Sequence, residues 1–87
     1  MRRSENNIEL INKRKTKLLT DLKKVRDRLG ELNHDLRKPG SFSAREYEKL
    51  LDEYNALQIK SRNIEDSLYD EFRMYGRQIE NQLKAIT

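Results

Sequence analysis

IELINKRKTKLLTDLKKVRDRLGELNHDL, residues 8–36, is the stretch that decides the fold. Within it Ile8, Ile11, Lys15, Leu18, Leu22, Val25, Leu29, Leu32 and Leu36 recur at alternating intervals of three and four without a break. That spacing lays a single apolar stripe along an α-helix, the heptad seam of a coiled coil, with Lys15 as its one polar occupant. A lysine there either snorkels its ammonium to water while its stem packs, or specifies register or oligomer state.

A seam needs a facing helix, and the rest of the chain supplies one. Lys38-Pro39-Gly40-Ser41 is the one place where Pro and Gly meet. Pro disfavours helical geometry in the residue before it and Gly tolerates turn conformations, so the connection is expected at about 38–42. Beyond it Tyr47, Leu50, Tyr54, Leu57, Ser61, Ile64 and Leu68 resume the same alternation, and a stutter after Ile64 shifts the phase to Phe72, Tyr75, Ile79, Leu83 and Ile86. Ser43-Ala-Arg-Glu46 has the form of a capping box, with Phe42 placed to staple against Tyr47. The expected fold is all-α, an antiparallel two-helix coiled-coil hairpin filling residues 1–87 as one unit, with helix one over about 5–37 and helix two over about 43–86. Gly30 and Gly76 interrupt the helix formers, each costing about 1 kcal/mol against Ala if helical.

The short connection favours a register with layers Leu32 with Tyr47, Leu29 with Leu50, Val25 with Tyr54, Leu22 with Leu57, Leu18 with Ser61, Lys15 with Ile64 and Ile11 with Leu68. Arg28 then flanks Glu53 and Asp21 flanks Lys60, with Asp35 by Glu46 as the repulsive pair. Sliding one heptad sets Arg28 by Lys60 and Asp35 by Glu53, both repulsive. In the first register Ile79, Leu83 and Ile86 find no partner within the chain. With Tyr75 they form a candidate docking stripe for another copy or another protein, the plain alternative being a frayed tail or closure by the first few residues. Gly76 begins this overhang and reads as a bend, a close-packing point or a solvent-facing glycine. Leu19, Leu51, Ile59, Tyr69 and Met74 lie off the seam. Leu19 and Leu51 join the candidate partner-binding residues, because a second patch suits two hairpins closing a four-helix bundle; scattered exposed apolar residues are the alternative.

Composition sets the limits. Of 87 residues 34% are hydrophobic and 39% charged, with no Cys or Trp. That excludes a disulfide scaffold, a thiolate zinc site and a large single-chain core. Ordering costs about 1.5 kcal/mol per residue, so an isolated hairpin is marginal, and a homo-oligomer, a dimer first, or a protein partner is expected. No apolar run exceeds three residues and no signal-type stretch opens the chain. The expectation is therefore a soluble, uncleaved, cytoplasmic protein with no membrane contact.

Charge is uneven. Residues 1–38 hold 12 Lys/Arg against 6 Asp/Glu, net +6, and residues 39–87 hold 7 against 9, net −2, which together make the overall +4. Arg2, Arg3, Lys13, Arg14, Lys17, Lys24 and Arg28 form a basic stripe that suits phosphates, with no aromatic among them to stack on bases. Sequence-nonspecific nucleic-acid binding is thus the alternative function, and a solvated or internally paired face is the plain reading. Glu31-Leu-Asn-His34 has the Glu-x-x-His form used in diiron bundles but lacks the further inward carboxylates, and no Gly-rich phosphate loop or metal-spaced His/Cys set occurs. No catalytic residue, cofactor, metal or small-molecule substrate is expected, and the chain does not read as an enzyme.

Two short stretches resemble known families. Gly40-Ser-Phe-Ser-Ala-Arg-Glu-Tyr47, followed by Leu57 and Ile64, resembles the second helix of the coiled-coil arm in Gre-type transcript-cleavage factors, over about a third of the chain. Those arms hold a metal with acidic residues at the tip, where this sequence has Lys38, Pro39, Ser41 and Arg45. Leu50-Leu-Asp-Glu-Tyr54 resembles part of the helical-hairpin phosphatases that act on sporulation response regulators, without their defining Ser-Gln-Glu-Leu-Asp. Each resemblance implies a helical hairpin and no activity. The function expected is a non-enzymatic protein-interaction module, an adaptor, chaperone or inhibitor, acting through coiled-coil contacts.

Overall fold

A computed structural model describes residues 2–38, 40 and 42–86, with side chains from Asn7 onward. Among these residues there are three helices and no strand: α1 (Arg2–Leu36), α2 (Ala44–Phe72) and α3 (Arg77–Ala85). The chain is all-α, as expected. Pro39 and Ser41 of the expected turn lie outside the described residues, and Gly40 between them has φ of 77°, a backbone state that glycine adopts without strain.

The start of α2 follows its sequence signal. Ser43 sits in extended geometry, its side chain accepts a hydrogen bond from the Glu46 amide at 3.3 Å, and its carbonyl accepts the Tyr47 amide at 2.9 Å. From there α2 runs back along α1. Arg28 grips Glu53 with two hydrogen bonds of 2.7 and 3.0 Å, and towards the far end Arg14 grips Glu71 with bonds of 2.6 and 3.1 Å. Those two pairings make the helices antiparallel.

Helix two does not reach residue 86. It stops at Phe72, where Arg73 turns left-handed (φ 56°, ψ 32°) and the chain hooks back. The Arg73 amide still bonds the Tyr69 carbonyl at 2.8 Å, and the Met74 amide reaches the Leu68 carbonyl at 3.2 Å. Gly76 follows with φ 55° and ψ −124°, and the Gln78 amide bonds the Tyr75 carbonyl at 3.2 Å. Positive φ at the first central residue with this closing bond is the pattern of a type II′ turn, which glycine favours. Gly76 is therefore a bend that faces solvent, with nothing packed close against it, and it starts α3 in a new direction.

The reversal lays α3 on α1, which places the core. Leu19, Leu22 and Val25 from α1, Ile64 and Leu68 from α2, Met74 from the joint, and Ile79 and Leu83 from α3 form one buried cluster, with Leu18, Leu29, Leu57, Phe72 and Ile86 packed against it. Arg26 ties the pieces together at the rim, bonding Glu65 on α2 at 2.8 Å and pairing also with Glu80 on α3. Lys23 donates to the Ile86 carbonyl.

The register also departs from expectation. Leu68 is fully buried while Ile11, expected opposite it, is 53% exposed. Leu29, expected against Leu50, shares a surface hollow with Gln58, Ser61, Arg62 and Glu65. Arg14 pairs with Glu71, well past the Glu65 that the expected register sets level with it. The helices sit nearer the one-heptad alternative. The expected Arg28–Glu53 pair nevertheless forms, and Arg28 also bonds Glu31 on its own helix. Asp21 and Lys60 form no ion pair.

Candidate partner-docking surface

The shifted register and the early end of α2 leave the first turns of α1 without a facing helix. Ile8 and Ile11 are seam residues, placed there by the same three–four spacing that buries Leu22 and Val25. Ile8 is 58%, Leu10 62% and Ile11 53% exposed. At the inner edge of this bare stripe Leu10, Ile11, Arg14, Glu71 and Phe72 line an open hollow of about 430 Å³.

The rim of that hollow is charged and ordered. The bidentate bonds from Arg14 hold the Glu71 carboxyl below the ordinary carboxylate value, the hydrogen bond outweighing partial desolvation. Arg28 does the same to Glu53 nearer the turn. For Arg26 desolvation opposes ionisation, but the hydrogen bonds it donates to Glu65 and Glu80 outweigh it and hold its proton more tightly. Arg14, Arg26, Arg28, Glu53 and Glu71 stay charged near neutrality. Residues 7–17 carry Lys13, Arg14, Lys15 and Lys17 against Glu9, so the bare end of α1 is apolar with a basic surround.

The residues expected to form a free stripe are not brought together as one. Ile79 and Leu83 are buried on the face of α3 that packs on α1, Ile86 packs on the same cluster, and Leu19 is covered by the same folding-back. The physical reason is the joint: with Arg73 and Gly76 reversing the chain, the α3 stripe finds α1 instead of overhanging. Tyr75 and Leu51 stay on the surface, Tyr75 edge-on to Tyr69 with ring centroids 5.8 Å apart. Met74, expected off the seam on a patchy surface, is also buried. Ile59 and Tyr69 remain exposed.

The basic stripe is divided. Arg14 and Arg28 are held by glutamates, while Lys13, Lys17 and Lys24 stand exposed. The Arg2 and Arg3 side chains lie outside the described residues. Glu31 pairs with Arg28, and His34 is exposed in the last turn of α1. Among the described residues no group of three or more His, Cys, Asp or Glu side chains could hold a metal, and no helix is long and apolar enough to cross a membrane.

Sequence reasoning placed Ile8 and Ile11 on the seam but paired Ile11 with Leu68, so it missed the bare end. Leu10, adjacent to Ile11 and off the seam, was the available signal that the apolar surface widens there. The chain matches no protein-family model, no curated protein and no solved structure.

Proposed function

We propose that this protein is a non-enzymatic interaction module, an adaptor, chaperone or inhibitor, that takes an amphipathic helix of a partner protein against the bare end of α1. What supports the reading is the exposure of Ile8, Leu10 and Ile11, three large aliphatic residues within a single helical turn, two of which line a hollow with Phe72, at the end that α2 leaves uncovered. Each of these, already partly covered, gains about 1–2 kcal/mol when a partner buries the rest, enough together for a modest, reversible contact. The basic surround selects the partner's chemistry: a helix whose apolar face is flanked by Asp and Glu. A second copy presenting its acidic α2 face is the homo-oligomeric version of the same contact. A Cys-free sequence suits a cytoplasmic setting.

The test uses two synthetic 21-residue heptad peptides with Ile and Leu at the seam, one with Glu and one with Lys at the flanking positions, titrated by fluorescence anisotropy. The acidic peptide is expected to bind at least tenfold more tightly than the basic one, and Ile8→Asp with Ile11→Asp to abolish binding. Light scattering on the free protein separates a second copy from a foreign helix as occupant. Binding that ignores both the peptide charge and the two substitutions overturns the reading, and a salt-sensitive gel shift carried by Lys13, Lys17 and Lys24 in its place would point to nucleic acid.

A further inference from the structure

The side of α2 turned away from α1 carries a stripe that no described residue covers. Asn55, Ile59, Arg62, Asp66 and Tyr69 recur at intervals of four, three, four and three, so at about 100° of turn per residue they share one side of the helix, opposite the buried Ile64 and Leu68. All five are exposed. Ile59, 64% open, is the most exposed Ile or Leu among the described residues, and with Asn55, Gln58, Arg62 and Asn63 it lines an open hollow of about 510 Å³. At the other end of the stripe the Tyr69 ring is already oriented. The Arg73 guanidinium lies 5.5 Å from its centroid and the Tyr75 ring meets it edge-on, yet 45% of Tyr69 stays open. Between them stand Arg62 and Asp66, and among the described residues neither enters an ion pair.

We propose that this face is a self-interface, through which two copies of the chain pair α2 on α2, antiparallel, about a two-fold axis between Arg62 and Asp66. The order of the residues selects the occupant. In that pairing Ile59 meets Tyr69 of the second copy and Arg62 meets its Asp66, and the axis makes each contact twice. A parallel pairing sets Arg62 on Arg62 and Asp66 on Asp66, like charge on like. Sliding the antiparallel pair by one heptad sets Ile59 on Arg62 in one direction and Arg62 on Arg73 in the other, and loses both matches. The two-fold arrangement alone among these is complementary in charge and in apolar contact together. An oriented tyrosine facing an aliphatic hollow is an anchor that loses little freedom on binding. The apolar part is small, so the contact is weak and reversible. Helix α3 packs on α1 and leaves this face clear. Because the paired α2 helices run in opposite directions, the bare ends of the two α1 helices come to opposite ends of the dimer, which makes the module bivalent. The bivalence rests on the docking reading given above; the pairing itself does not.

Sedimentation equilibrium from micromolar to millimolar protein is expected to show the mass rising from one chain to two and no further, since a two-fold contact closes on itself. Arg62→Asp and Asp66→Arg each set like charges together at both symmetric positions, and each is expected to weaken the dimer at least tenfold. The double variant exchanges the charges without changing their sum and is expected to restore the dimer to within about threefold of the parent. Ile59→Asp is expected to weaken it at least tenfold as well. These side chains are exposed, so helix content by circular dichroism should not change in any variant. Ile8→Asp with Ile11→Asp is expected to leave the dimer intact. A parent that stays monomeric at millimolar concentration, a double variant no tighter than the single ones, or a dimer indifferent to Ile59→Asp overturns the self-interface. So does a dimer lost in the Ile8 and Ile11 variant, because the second copy then sits on the bare end. Acidic-peptide binding by a chain that stays monomeric leaves the docking reading standing. A dimer restored by the charge exchange, in a chain that binds neither peptide, sustains the self-interface and removes the docking reading with its bivalence.

Discussion

Leu68 and Ile11 show what position along a seam does to the value of a side chain. Both are long aliphatic residues on the inward face of their helices, yet Leu68 is completely buried and Ile11 is half open to water. Truncating a buried leucine loses its transfer free energy and leaves a cavity, so Leu68→Ala is expected to cost about 2–5 kcal/mol, whereas Ile11→Ala should cost about 1 kcal/mol or less. Urea unfolding followed by circular dichroism reads both. Equal costs would restore the register in which these two residues face each other. The seam residues were legible from spacing alone, because periodicity fixes which side of a helix is apolar. Which seam residue meets which was not, since a hairpin register shifts by whole heptads without changing the pattern. Charge pairing between exposed residues is too weak to choose, and Arg28 shows why: its side chain is long enough to find a glutamate in either register.

At the scale of the helix, the decision that matters is where α2 stops. Local preference hardly discriminates: a non-glycine residue in left-handed geometry costs about 1–2 kcal/mol, and Gly76 in a continuous helix costs about 1 kcal/mol. The capped start at Ser43 could be read from four residues because a side chain closes it. The end at Phe72 could not, because nothing in Phe72-Arg-Met-Tyr-Gly76 signals that Arg73 turns left-handed. Packing decides it, through Ile79 and Leu83 meeting Leu19 on a second face of α1. Leu19 therefore reports on α3. In a straight hairpin it is an off-seam surface residue whose loss costs within about 0.5 kcal/mol, while under α3 Leu19→Ala should cost about 2–4 kcal/mol. Thermal and urea unfolding of this variant test that packing, and a near-neutral result would mean that α3 does not cover Leu19.

The whole molecule measures 61 × 20 × 19 Å with a Cα radius of gyration of 16.8 Å, against about 12 Å for a globular chain of this length. Its accessible surface is 7105 Å², against about 5,400 Å² for a compact protein of this mass. Such a rod has one narrow core, so ion pairs along its edge carry a larger share of the free energy that holds α2 and α3 to α1. Three of the arginines on α1 reach across to α2, and one of these also reaches α3. Their sign with pH follows from the carboxylates. Glu53 and Glu71 are held below their ordinary value near 4.5 by Arg28 and Arg14, so the folded state binds protons less readily than the unfolded one. The stabilisation is fully present above about pH 5 and is lost as the pH falls through 4.5 and below. The urea midpoint is expected to stay level from pH 7 to about 5.5 and to drop between about 5 and 3. Two mechanisms predict that drop: loss of these pairs, and mutual repulsion of 19 Lys and Arg once the 15 acidic groups are neutral. A Glu53→Gln, Glu71→Gln double variant separates them. If the pairs matter, it is less stable than the parent at pH 7, loses less on acidification, and converges with the parent near pH 3. If repulsion alone acts, the two curves fall in parallel, and the edge pairs contribute nothing to holding the rod together.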